Sequence, residues 1–312
     1  MENLVLSFNV MLPLFLCMML GYLLRRVGML EPTLLKGLNK LCFKVFLPFY
    51  LFNNVYSTNI SEAFNAKLLI FSVGCVVVLF ILLMVFIPKM EKDHRRCGVM
   101  IQGIFRSNFA LFGLPVAISL CGEQNVGPTS LLVGMIVPVY NIMAVIALET
   151  FRGGKPNPKK IVKGIITNPL IIASLLGALF NVLNIQLPTT VEKSLIDIGK
   201  VATPLSLVAL GGEFMFSSVK GYFKQLMTVL AGKLVLSPLV MVALAVLIGL
   251  RNEMLVPVMI MFGAPTAVSS FPMAQQMDGD GELAASIVVF TSAFAILTIF
   301  FWIFILKQLM LI

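Results

Sequence analysis

Long apolar runs separated by short clusters of charge set the pattern of this chain. Ten runs lie near 4–24, 34–56, 67–87, 98–121, 128–150, 162–183, 191–213, 224–249, 254–276 and 284–306. Each approaches the ~20 residues that a helix needs to cross ~30 Å of hydrocarbon. The pattern predicts an all-α membrane protein of ten transmembrane helices, here called spans 1–10. Little chain remains for loops, so no extramembrane catalytic or regulatory domain is expected. Composition agrees: 59% of residues are hydrophobic, only 12% are charged, and the mean hydropathy is +1.00. A soluble domain carries roughly 25% charged residues, so this surface must face lipid.

The N-terminus, Met1-Glu2-Asn3, has no basic stretch ahead of its apolar run, which argues against a cleavable signal. The net charge of +9 needs no nucleic acid, because the basic residues sort by side. Arg25 and Arg26 follow span 1, and Lys89, Lys92, Arg95 and Arg96 follow span 3. Arg152, Lys155, Lys159 and Lys160 follow span 5, and Lys220 and Lys224 follow span 7. The positive-inside rule then puts these connections in the cytoplasm of a cell membrane and both termini outside. One connection dissents: Asp278-Gly279-Asp280-Gly281-Glu282 should be cytoplasmic yet carries only acids. The five cysteines show no C-x-x-C spacing and read as small packing residues.

The chain also resembles itself. A shift of 156 carries Pro13, Pro32 and Pro48 onto Pro169, Pro188 and Pro204, Gly21 onto Gly177, and Lys44 onto Lys200. Three proline matches have odds of about one in a hundred once the shift is free to vary. A second echo joins Gly113-Leu114-Pro115 to Gly263-Ala264-Pro265 at a shift of 150. The expected organisation is a first five-helix repeat over 1–151, a cytoplasmic linker over 152–160 and a second repeat over 161–312. Five is odd, so the second repeat enters from the opposite face. Inverted repeats are a common architecture of secondary transporters, although a duplication without functional meaning produces the same sequence signal.

Chemistry is expected where spans 4 and 9 are interrupted. Each carries a Gly-x-Pro at mid-span, Gly113-Leu114-Pro115 and Gly263-Ala264-Pro265, beside polar residues. Proline lacks an amide hydrogen and clashes with the preceding turn, so the pair predicts that both helices are broken at mid-span. Broken backbone survives at membrane depth only where protein or a wet cavity satisfies it, and freed helix-terminal amides attract anions. A simple kink is the blander reading.

The pattern Asn108-x-x-x-x-Gly113-x-Pro115 resembles the auxin efflux carrier family, which includes plant PIN-type carriers and bacterial malonate and malate permeases. Thr167-Asn168-Pro169 followed by Ala173-Ser174-Leu175-Leu176-Gly177, Glu149-Thr150-Phe151-Arg152-Gly153, and Ala264-Pro265 are similar too. The resemblance implies two inverted five-helix repeats, with a scaffold of spans 1, 2, 6 and 7 and a moving transport domain of spans 3–5 and 8–10. It also implies substrate binding where spans 4 and 9 cross, an elevator-like alternation of access, and a homodimer through the scaffold. Asn108 falls on the polar residue at the crossing, and Pro115 and Pro265 on the crossover prolines. Only about ten residues join spans 5 and 6, unlike the long loop of many plant members, which favours a bacterial member.

The substrate-binding set expected on these grounds is Arg106, Asn108, Phe109, Gly113, Pro115, Tyr140, Asn141, Gly263, Pro265, Thr266 and Ser269, around a small carboxylate anion. For Arg106, attraction of the anion, snorkelling and pairing with a structural carboxylate all stay open. Lys44 and Lys200 each precede a repeat-related proline by one turn, and Asp197 is a ready partner for Lys200. Asn53, Asn54, Tyr140 and Asn141 serve either a wet cavity or helix–helix hydrogen bonds. His94 lies in a charged connection and reads as solvated. No zinc helix, nucleophile elbow or Walker loop occurs, so an enzyme, a cofactor and direct use of ATP are not expected. An anion channel or a non-transporting anion sensor is the alternative function. Uniport and symport with proton or sodium both stay open.

Overall fold

The structure, a computed structural model, describes residues 2–57, 65–152 and 158–312, apart from the side chains of 2–7, 10, 160 and 216–218. Residues 153–157 of the expected linker, Lys155 among them, lie outside the described residues. Apolar runs close into helices because in lipid each backbone amide needs an internal acceptor. The chain begins with α1 (Glu2–Arg26) and α2 (Pro32–Leu41). A π-helical turn, Cys42–Phe46, leads on into α3 (Leu47–Tyr56). The next four are α4 (Ala66–Met90), α5 (His94–Phe105), α6 (Phe109–Cys121) and α7 (Gly127–Thr150). Then come α8 (Pro158–Ile166), α9 (Pro169–Val182), α10 (Thr189–Lys200) and α11 (Ala202–Glu213). A second π-helical turn, Ala231–Leu236, joins α12 (Phe223–Leu230) to α13 (Ser237–Leu247), before α14 (Leu255–Gly263), α15 (Ser270–Gln276) and α16 (Gly281–Gln308).

Polar residues at the run boundaries act as caps. Asn65, Asp93, Asn168 and Asp280 each accept a hydrogen bond from an amide of the helix that follows, at 2.9–3.0 Å. Among the described residues six helical segments are long and apolar enough to cross a membrane: Ala66–Met90, His94–Cys121, Gly127–Thr150, Thr189–Glu213, Val219–Leu247 and Gly281–Gln308. Pro169–Val182 and Asn252–Gly263 are apolar but shorter.

Two helix pairs pack closely, α1 on α11 and α3 on α9. Glycine makes each approach possible. A Cβ at Gly21 would overlap the Val208 carbonyl, and one at Gly177 the Phe52 carbonyl. The 156-residue shift carries Gly21 to Gly177 and Phe52 to Val208, so the two contacts are the same contact with the partners exchanged. Around the interrupted helices, α6 and α7 pack with α14 and α5 packs with α7 and α15, while α16 covers α5, α14 and α15.

The acidic connection that broke the charge pattern lies against basic residues. Arg95 donates to the carbonyls of Asp278 and Gly279 at 3.0 and 3.3 Å. Arg152 meets the Asp278 carboxylate at 2.8 Å, and Arg96 meets Asp280 at 3.3 Å. The connections after α4, α7 and α15 therefore share one face of the molecule. Their charges neutralise one another there.

Candidate functional site

The first interruption is Arg106-Ser107-Asn108, between α5 and α6, and the second is 264–269, between α14 and α15. The two cross, and each satisfies backbone that the other has freed. The Asn108 amide donates to the Pro265 carbonyl at 2.8 Å. Thr266 Oγ1 donates to the Gly103 carbonyl at 2.7 Å, and Gln102 Nε2 to the Ser270 carbonyl at 3.0 Å. The Thr266 amide is accepted by Thr291 Oγ1 of α16 at 3.2 Å. This is how unwound chain survives away from water.

Polar side chains gather on one side of the crossing. Arg106 is 3% exposed and donates to Asn141 Oδ1 at 2.6 Å, Ser269 Oγ at 2.8 Å and Met273 Sδ at 2.6 Å. All three acceptors are neutral, and among the described residues no carboxylate lies within 4 Å of the guanidinium. Asn108 stands at the N-cap of α6 yet makes no side-chain capping bond, and its buried Nδ2 has no partner; neither has Asn141 Nδ2. Tyr140 donates to the Met261 carbonyl at 3.3 Å and packs on Phe105.

Asn108 and Ser269 border a narrow gap of about 20 Å³ whose other wall is Leu47 and Tyr50 of α3 with Thr203 and Ser206 of α11. One helical turn earlier on that wall, Phe43 and Lys44 line a much larger vestibule of about 1000 Å³. Its polar lining also includes Arg95, Glu149, Arg152, Lys163, Thr167, Asn168, Gln276 and Asp278. Its mouth lies on the face where the basic connections meet the acidic one, and Arg152 bridges Glu149 at 3.0 Å and Asp278 at 2.8 Å across it.

A sequence model of the family described as "Membrane transport protein" matches residues 6–303. The chain belongs to that family. It is the auxin efflux carrier family of the resemblance above. An "Uncharacterized transporter" of Methanocaldococcus jannaschii is 24% identical over 306 residues, 94% of this chain and 97% of that one. A "Putative malonate transporter" of Rhizobium meliloti is 23% identical over 298 residues, 93% of each chain. An "Uncharacterized transporter" of Methanothermobacter thermautotrophicus is 20% identical over 300 residues, 95% of this chain and 97% of that one. The protein is thus a multi-pass, all-helical member of a membrane transport family.

Of the residues that the family resemblance and the sequence single out, Arg106, Asn108, Asn141, Pro265, Thr266 and Ser269 come together at the crossing, with Tyr140 beside them. Phe109 is buried in the apolar core behind it. Gly113 packs against Phe109 and Val133, and Gly263 lies near Pro238 and Trp302. Pro115 sits inside α6 with its ring exposed on the outer surface. The expected break at Gly113-Leu114-Pro115 is therefore corrected: the first helix opens earlier, at 106–108, where cross-arm hydrogen bonds replace helical ones. Only the second arm breaks at its Gly-x-Pro. The first arms end at Phe105 and Gly263, 158 residues apart, so the echo at a shift of 150 does not mark the structural register.

Arg106 is buried rather than snorkelling, and among the described residues it pairs with no carboxylate. Lys44 opens onto the vestibule, whereas Lys200 is exposed and pairs with Asp197 at 3.3 Å. Asn53 bonds the Leu195 carbonyl at 2.7 Å, the helix–helix role. His94 is exposed and stacks on Phe151. Sequence reasoning missed Gln102, Met273 and the wall residues Tyr50, Thr203 and Ser206. No local signal marks them, because their roles come from the crossing of distant helices. Lys233 was missed as well, although a lysine inside an apolar run is such a signal.

Proposed function

We propose that this chain is a secondary carrier of small carboxylate anions, working by elevator-like alternation of access around the crossing. One observation carries the reading: among the described residues Arg106 is buried between neutral acceptors, without a carboxylate, beside the unpartnered amide of Asn108. A buried cation is costly unless paired. A carboxylate entering from the vestibule supplies the missing charge, and it accepts the hydrogen atoms that Asn108 offers. The name of the Rhizobium relative makes malonate the first anion to test.

The gap beside Asn108 holds a water at most, far too little for a dicarboxylate. Substrate binding then requires the crossing to move away from α3 and α11, and movement of one helix group against another is the essence of the mechanism. The exchanged contact pair, Gly21 with Val208 and Gly177 with Phe52, supports two inverted five-helix repeats over ten spans. Exchange of conformations between such repeats turns an inward-open carrier outward. In this reading α1–α3 with α8–α11 form the scaffold, and α4–α7 with α12–α16 carry the substrate.

The test is counterflow in proteoliposomes against a panel of malonate, malate, succinate, acetate and lactate, with sodium and pH varied separately. Saturable counterflow of one anion is expected. Flux without counterflow marks a channel, and binding without flux marks a sensor. Sidedness is tested with Lys159→Cys: protection from a membrane-impermeant thiol reagent in intact cells is expected, and labelling from outside reverses the topology.

A further inference from the structure

Lys233 has no exposed surface, and among the described residues its Nζ has no hydrogen-bond partner. It lies in the π-helical turn Ala231–Leu236, a geometry that recurs at functional sites. Gly232 sits against Ile104, two residues before the first interruption, and Pro238 sits near Gly263, the last residue of α14. Trp302 Nε1 donates to the Leu234 carbonyl of the same turn at 3.1 Å. The turn thus lies behind the crossing, near the C-terminal ends of α5 and α14, where the negative ends of the helix dipoles favour a cation.

The elements packed against this turn bring it no acid. They are α5, α12, α13, α14 and α16. Neither α13 nor α14 has a titratable side chain, and α12 has only Lys224. Glu282 and Lys307 lie at opposite ends of α16, and on α5 His94, Arg95, Arg96 and Cys97 fall in the first turn, far from Ile104. Arg106 lies just past the end of α5, two residues after Ile104. None of the cavities described above reaches Lys233, so a proton is the one ligand it takes without rearrangement.

We propose that Lys233 is the proton-exchanging group of the carrier, holding an amine in the enclosed state seen here and an ammonium while the anion is bound. The idea rests on the carrier reading above and deepens it into anion–proton symport. A carboxylate beside Arg106 favours the ammonium, and the ammonium in turn favours the carboxylate, because coupling between two ligands is reciprocal. A proton taken from water on one side with the anion is released to water on the other. Nothing is oxidised or reduced.

The experiment uses radiolabelled malonate, or whichever anion of the panel shows counterflow, in proteoliposomes with the membrane potential clamped at zero. For the parent protein, an outside-acid gradient is expected to concentrate the anion about tenfold per pH unit for one proton per anion. Lys233→Met and Lys233→Arg, one never charged and the other always charged, are expected to keep counterflow and lose this accumulation. Counterflow without gradient-driven accumulation in the parent overturns the proposal and leaves the carrier intact. Parent-like accumulation in either variant overturns it too, and if one variant fails to fold the other decides. Absence of counterflow for the whole panel in the parent defeats the carrier reading itself.

Discussion

The crossing and the paired helices α1/α11 and α3/α9 solve one problem, helix contact in lipid, in opposite ways. In the pairs the helices run unbroken at the contact, so their backbone needs nothing from outside. Glycine then lets bare backbone meet bare backbone, as Gly211 does against Met18 and Gly21 against Val208. At the crossing the helices stop, and amides and carbonyls must find partners on the opposite arm. Asn108 and Asn141 add side-chain amides that those partners do not exhaust, and Arg106 adds a charge that its neutral acceptors do not balance. The pairs are complete without a ligand; the crossing is not. Substitutions should separate the two regions, changing binding at one and stability at the other.

The largest effect is expected from Arg106→Met. Removing the guanidinium withdraws the cation and strips Asn141 and Ser269 of their donor. Truncating one member of a buried charge pair costs about 2–5 kcal/mol, roughly thirtyfold to a few thousandfold in affinity. Binding of the transported anion to purified protein measures it, and Arg106→Lys should recover part of the loss. Unchanged affinity in Arg106→Met would move the site away from the crossing.

Next comes Asn108. Losing one hydrogen bond to a charged group should cost about 1.5–3 kcal/mol, so Asn108→Ala should bind about ten- to a hundredfold more weakly. Asn108→Asp keeps the shape and should repel the anion outright. If both bind like the parent, Asn108 is a helix-break residue only.

The paired helices should answer differently. Gly211→Ala pushes a methyl group into the Met18 carbonyl, and overpacking of this kind costs about 1–3 kcal/mol of stability. Thermal unfolding in detergent should shift downward while anion affinity in the surviving protein stays within twofold. A large affinity change with normal stability would tie this contact to the site after all.

The smallest effect is expected at the vestibule mouth. Arg152 is 40% exposed on its side chain, and its ion pairs with Glu149 and Asp278 are worth at most about 1 kcal/mol. Arg152→Gln should change anion uptake less than about fivefold, with the difference fading in high salt. A loss as deep as that of Arg106→Met would extend the binding site to the vestibule.

Much of this was legible along the chain because lipid imposes a local rule: a helix must satisfy its own backbone, so apolar runs announce helices wherever they fall. The 156-residue repeat was legible for a similar reason, since Gly21 and Gly177 mark places where only glycine allows backbone contact. The Gly-x-Pro signal was less informative, since a proline within α6 is tolerated as a kink, while the real opening at 106–108 depends on bonds offered by α14 and α15. The orphan acidic connection was opaque as well, because Asp278 and Asp280 are neutralised by arginines more than a hundred residues away. Sequence by itself determined that the chain is helical and apolar enough for lipid, which follows from local composition, and its family, which follows from the resemblance of short motifs. Tertiary structure alone decided that Arg106 has no acid beside it among the described residues, that Asn108 faces a gap rather than capping α6, and that Lys233 is enclosed. Those are facts about what is absent from a neighbourhood, and a neighbourhood exists only once distant helices have packed.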